Sequence, residues 1–345
     1  MLFALVPLFA AGVAQAGPVQ NSPKLSKEPV INSYQLYPEN IDYDTRTRLA
    51  YISVLYNSTV AVYDPFTNKV TKTIAFDKLS YDPVLHASGV QVDPLGRLSV
   101  IVNAGAAFDT RGADISGDNF LVKYDLARGQ ELWRANLTAV TDGVYSGYQD
   151  IEHDACGNAF AVGTWPSSIV RVSKDGKDAE AWYLTDDKDH TKKGLTGLAS
   201  KGDILLATEH TGSRLLRFDM KADKGVPAVV DVGEDGIGER PDGIYLPSKF
   251  EGKVLLVSSQ LEGTVVLRSA DGKWTSAERL GVVPNKFEKQ GGSTTASVEI
   301  EGRIFVSTEW FGDAANKVPG TLSGNRTEFP LYDITSDVEK LLPLR

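Results

Sequence analysis

Short runs in which apolar and polar residues alternate, each closed by a glycine-bearing turn and followed by a mostly apolar run, recur from one end of the chain to the other. Alternation with a period of two is the pattern of a strand buried on one face. Six segments carry it in related form: Glu39-Asn40-Ile41-Asp42-Tyr43-Asp44, Ser88-Gly89-Val90-Gln91-Val92-Asp93, Gln149-Asp150-Ile151-Glu152-His153-Asp154, Thr196-Gly197-Leu198-Ala199-Ser200, Asp242-Gly243-Ile244-Tyr245-Leu246 and Ala296-Ser297-Val298-Glu299-Ile300. A turn such as Pro94-Leu95-Gly96 or Glu301-Gly302-Arg303 then leads into a β-rich second strand, for example Leu98 to Asn103 or Ile304 to Thr308. Third strands end alike in four copies, as in Val60-Ala61-Val62-Tyr63-Asp64 and Leu215-Leu216-Arg217-Phe218-Asp219. The starts lie 46 to 61 residues apart, the length of a four-stranded blade that buries its faces only against neighbours. No 3.6-residue periodicity accompanies the repeat, which excludes a helical solenoid. The expectation is an all-β, single-domain six-bladed β-propeller.

The period breaks in two places. Residues 104–118 interrupt the second copy where others turn tightly, and a long insertion there predicts a lid over one mouth of the ring. Thr185 to Lys193 is a charged stretch that reads as a solvated loop. Gly236-Ile237-Gly238 follows no clear strand and reads as a loop, not a dinucleotide site.

Composition narrows the class of partner. With 36 Lys+Arg against 45 Asp+Glu the formal charge is -9, and no basic cluster could track a phosphate backbone. Nucleic acid is therefore not expected. Residues 2–14 are apolar, and Ala14-Gln15-Ala16 precedes Gly17 as a small-x-small cleavage site. This predicts a signal peptide over 1–16, the propeller over 17–345, and a secretory or secreted protein. No later run is long enough to span a bilayer. Sequons at Asn57, Asn136 and Asn325 agree with that route and predict a glycoprotein. Cys156, the only cysteine, lies in a turn and reads as structural, so the fold must hold without disulfides.

In a propeller the residue entering each innermost strand tends to line the axis. Aligned copies place Glu39, Ser88, Gln149, Thr196, Asp242 and Ala296 there. Two carboxylates facing a central opening need a partner, a hydrogen bond or a ligand. The far ends of the second strands should reach the same mouth: Asn103, Thr164-Trp165, Thr208-Glu209-His210, Ser259-Gln260 and Thr308-Glu309-Trp310-Phe311. Alternating polar and aromatic groups suit a partly hydrophobic small molecule. Of the four histidines, His153 and His210 are expected near these rings, His86 just before one, and His190 in the charged loop. No G-x-S-x-G elbow, phosphate-binding glycine loop or H-E-x-x-H is present, which leaves serine hydrolysis and nucleotide chemistry without support.

Tyr37-Pro38-Glu39-Asn40 and Arg240-Pro241-Asp242-Gly243-Ile244 resemble motifs of the gluconolactonase and senescence-marker-protein propellers. That resemblance implies Glu39 and Asp242 as ligands of a divalent metal. The family's asparagine ligand falls on Thr196, with Gln149 in the neighbouring blade, and a hydroxyl is a poorer donor to such an ion. A wider resemblance includes Tyr51 to Pro65, His86 to Arg97, Ser116 to Phe120 and Tyr148 to Asp154. It is to the fungal propeller family of the trichothecene-cluster protein and the hetero-Diels-Alderases of tropolone sesquiterpenoid pathways. This implies a cofactor-independent cyclase that joins a reactive tropolone quinone methide to an alkene, forming a dihydropyran. Candidate catalytic donors are His210, Gln260, Thr208 and Trp165. Candidate substrate-binding groups are Glu39, Ser88, Asn103, Gln149, Thr196, Glu209, Asp242, Glu309, Trp310 and Phe311. A metal-dependent lactonase and a secreted, non-enzymatic ligand-binding or virulence factor remain as alternatives.

Overall fold

The computed structural model describes residues 25, 26 and 28–342; the expected signal peptide lies outside them. Six antiparallel sheets stand in a ring, so the alternating copies are blades of a six-bladed β-propeller. The first blade runs Pro38–Asp44, Leu49–Val54, Thr59–Asp64 and Lys69–Ile74, each strand paired with the next. Blades two to five repeat this order, with innermost strands Leu85–Val92, Ser146–His153, Leu195–Lys201 and Pro241–Tyr245.

The last blade closes the ring. Ser293–Ile300 pairs with Arg303–Glu309, which pairs with Tyr332–Asp333. The adjoining Glu328–Pro330 pairs with Val30–Asn32, so the two ends of the chain are stitched together. Ile31, Phe329 and Leu331 are fully or almost fully buried in a core shared by the first and last blades. Without a disulfide, this joint holds the ring shut by hydrogen bonds and apolar burial.

Each innermost strand carries a bulge near its start, where two residues oppose less than two on the second strand. Bulges redirect a side chain out of the pleat, and here they bring Glu39, Ser88, Gln149 and Asp242 around one opening. In the last blade the extra residue is Thr295, not Ala296. A Cβ on Gly243 would meet the Thr295 carbonyl, as one on Gly197 would meet that of Asp242. Ala296 packs into the core.

Second-strand polar groups tie blade to blade. Asn103 Nδ2 donates to the Tyr148 carbonyl at 2.8 Å, Thr164 Oγ1 to Leu195 at 2.7 Å, and Ser307 Oγ to Pro38 at 3.3 Å. Thr196 Oγ1 donates to the Pro241 carbonyl at 3.0 Å and sits 2.8 Å from Thr208 Oγ1. Of the sequons, Asn325 is exposed, whereas the Asn136 side chain caps the short helix Leu137–Val140.

Candidate functional site

The expected mouth opens into a cavity of about 750 Å³. Its floor is made by bulge residues: Glu39, Ser88, Gln149 and Asp242, from four different blades, with Asn103 between them. Second-strand ends add Trp165, His210 and Gln260, and Phe311 follows on the rim. Nine residues expected from the sequence thus meet in one space.

Five expected residues do not line it. Thr208 and Thr196 are spent on each other and on backbone of the next blade, so neither offers a hydroxyl to the cavity. Glu209 turns aside into a two-pronged ion pair with Arg214, at 2.6 and 2.8 Å. Glu309 is fully buried beside the cavity wall, with neither carboxylate oxygen partnered; burial above all, then Asp313, holds its carboxyl well above the usual range. Trp310 packs against Phe287 and Phe329 beneath the Arg326 guanidinium. The chain leaves the strand Arg303–Glu309 at this point: Trp310 joins the core, while Phe311, which opens the 3-10 turn Phe311–Asn316, faces the mouth.

His153 lies at the opposite end. It is four residues along its strand from Gln149, about 13 Å at the usual rise, and its Nε2 meets Ser99 Oγ at 2.8 Å and Lys123 Nζ at 3.0 Å. Lys123 in turn reaches Asp93 at 3.0 Å. Near this end a cavity of about 90 Å³ is lined by Asp42, Asp150 and Glu152, each hydrogen-bonded across blades.

Three loops complete the mouth. The 104–118 insertion folds over it through a single turn, Ala106–Asp109, and contributes Phe108, Asp109 and Arg111. Phe108 stands edge-on to Trp165 with centroids 4.8 Å apart, which pins the lid to the third blade. The segment after Phe311 adds Lys317 and Leu322. The charged loop is solvated only in part: Thr191 and Lys193 face the cavity. Tyr56, edge-on to His86 at 5.5 Å, forms the remaining wall.

Sequence reasoning passed over Lys193, Arg240 and Tyr56. A signal existed for some of these: His86 and Arg240 stand two residues before a bulge position, and Lys193 three before. Backbone bonds fix Lys193, whose carbonyl accepts from Thr211 N at 3.2 Å and Thr211 Oγ1 at 2.6 Å.

Charges on the floor act on one another. Burial, then Asp242, Asp150 and Glu309, raises the Glu39 carboxyl well above its ordinary value, against the pull of Lys193. Burial also raises Asp242, opposed by Lys193 and by the hydrogen bond that Gln260 Nε2 donates at 2.7 Å. Burial, with Lys193 and Arg240, lowers His210 to about 4, so its imidazole is neutral near pH 7. The floor fits a divalent metal poorly. Thr196 is turned away, a lysine ammonium shares the field of the two carboxylates, and among the described residues no three His, Cys, Asp or Glu side chains gather as a metal site.

No protein-family model matches the chain. It is 31% identical over 330 residues to trichothecene biosynthesis protein 14 of Trichoderma arundinaceum, covering 91% of this chain and 89% of that one. It is 28% identical over 345 residues to the core trichothecene cluster protein 14 of Fusarium sporotrichioides, covering 94% and 90%. Among solved structures, the Malassezia sympodialis allergen Mala s 1 superposes with a TM-score of 0.75 at 20% identity, over 90% of this chain and 96% of that one. A gluconolactonase from Xanthomonas campestris gives 0.55 at 15% identity, over 92% and 93%. The two structures bear on the fold alone.

Proposed function

The chain belongs to the family of trichothecene biosynthesis protein 14, and from that membership we propose that it is an enzyme of secondary-metabolite biosynthesis. Its reaction is ring closure: a hetero-Diels-Alder addition that joins a reactive tropolone quinone methide to a sesquiterpene alkene and makes a dihydropyran. The observation that carries this reading is the cavity's division into aromatic walls, Tyr56, Phe108, Trp165 and Phe311, and a hydrogen-bonding floor. The one serine on that floor, Ser88, donates to the Tyr148 carbonyl and accepts from Asn103, so it is not poised as a nucleophile.

Cycloaddition needs neither a covalent intermediate nor a cofactor. It needs two partners held face to face, which contributes up to roughly 7–11 kcal/mol when the geometry is near that of attack. Flat aromatic walls position such partners and exclude water from a reactive diene. As the heterodiene oxygen gains charge, a placed donor stabilises it. Gln260 has one amide hydrogen left after its bond to Asp242, and His210 and Arg240 stand on the same wall. The apolar leader over 1–16 supports assignment to the secretory pathway.

Deletion of the gene tests this directly. The expected outcome is loss of cyclised product, or of its stereochemical purity, with accumulation of uncyclised shunt products; an unchanged metabolite profile would overturn the reading. Turnover by the purified protein should be unaffected by chelator, whereas chelator-sensitive turnover points to the metal-dependent lactonase.

A further inference from the structure

Four cationic side chains face the cavity: Arg111 from the lid, Lys193 and Arg240 from loops leading into the fourth and fifth blades, and Lys317 from the segment beyond Phe311. None of them takes part in an ion pair within 4.0 Å or in a side-chain hydrogen bond among the described residues. Among the described arginines outside the cavity all but Arg217 hold a carboxylate, as Arg46, Arg97, Arg134, Arg171, Arg214 and Arg279 do, whereas lysines such as Lys69 and Lys174 take no ion pair there either. The molecule as a whole is acidic, at a formal charge of -9. Three carboxylates, Glu39, Asp109 and Asp242, share the cavity with the four cations.

Lys193 lies within the fields of Asp242, Arg240 and Glu39, but no carboxylate stands at ion-pair distance from it or from Arg240. Like charges facing one partly buried space are unfavourable unless a counter-charge sits between them. Lys193 is not free to swing out at its root. Thr211 holds its carbonyl, and Gly194 beside it is wedged so that a Cβ would lie 2.0 Å from Ser167 Oγ.

We propose that the cavity takes its ligand as an organic anion, a flat apolar body carrying a carboxylate or ionised enol whose oxygens lie between Lys193 and Arg240. The apolar body then rests against Trp165 and Phe108, and Arg111 and Lys317 at the rim draw the anion in. This rests on the cavity being the site proposed above, and is independent of ring closure. Burial depresses the Lys193 ammonium pKa, Asp242 and Glu39 oppose this and Arg240 adds to it; a bound anion would act in the same direction as the two carboxylates.

Calorimetric titration of the full mature protein with 2-naphthoate, 2-naphthamide and 2-naphthylmethylammonium tests it. Naphthoate should bind at least tenfold more tightly than the neutral amide, and more weakly as salt is raised. Lys193→Met and Arg240→Met should each cost tenfold or more for naphthoate and leave the amide unchanged, with Lys193→Arg retaining most of the affinity. Thermal melting of each variant identifies any that fail to fold. Equal affinity for acid and amide, tightest binding of the cation, or no binding of any of the three would overturn the inference. Naphthoate selectivity in a protein whose deletion leaves metabolites unchanged would uphold this inference and remove the cyclase reading. Ring closure by a cavity indifferent to charge would do the reverse.

Discussion

Residues at the axis divide by the direction in which burial pushes them. Asp42, Glu152 and Asp150 are raised, mainly by burial, to about 6, about 7 and about 8. The folded chain therefore binds these protons more tightly than the unfolded chain does. Their stabilising contribution is full below an ordinary carboxylate value of about 4 and is lost as pH rises through 6 to 8. The melting temperature of the wild type should accordingly fall between pH 5 and pH 8. Glu152→Gln, which keeps an acceptor for Gln91 or Ser200, should show a shallower fall; parallel slopes in the two proteins would refute the assignment to Glu152. These same carboxylates, at strand positions that alternate with core residues, were visible as polar members of the first and third repeats. Their cross-blade partners were not, because Leu198 and Ser200 lie nearly fifty residues away in the chain.

Elements carry the next level of detail. The strands were legible because period-two burial is a local property, and the observed third strands Thr59–Asp64, Phe120–Asp125, Ser168–Val172 and Arg214–Asp219 lie within a residue of the expected ones. Bulges were less legible, since a repeat aligned by side-chain type hides an extra residue, and this put Ala296 where Thr295 belongs. The loop entering the fourth blade depends on close approach at Gly194, whose Cβ would also come 2.9 Å from the Thr164 carbonyl. Gly194→Ala should cost about 1–3 kcal/mol by overpacking and displace Lys193. Gly312→Ala, which meets nothing within 4 Å, serves as the control. Denaturation of both variants checks this: equal stabilities would show that the loop yields freely.

At the scale of the whole molecule, closure is the decisive event. The ends of the chain are held together by the pairing of Val30–Asn32 with Glu328–Pro330, a two-stranded ribbon apart from the six blade sheets. Ile31 is completely buried in the core that joins first and last blades, so Ile31→Ala should lower stability by about 2–5 kcal/mol. If closure couples the blades, that loss appears in one cooperative transition, followed by both near- and far-ultraviolet dichroism. Separate loosening of the first blade, with the main transition unmoved, would show the joint to be dispensable.

The amino-acid order by itself specified the blades, their number, the apolar faces between them and, in all blades but the last, the polar residue leading the inner strand. All of these follow from hydrogen-bonding geometry and burial within some fifty residues. It did not specify which polar groups would face the ligand space. Thr208 and Asn103 both bond across to the next blade, yet only Asn103 also lines the cavity. Nor could it gather Arg111, Lys193, Arg240 and Lys317, since charges in loops follow no period, and only the closed ring brings four separate loops over one opening.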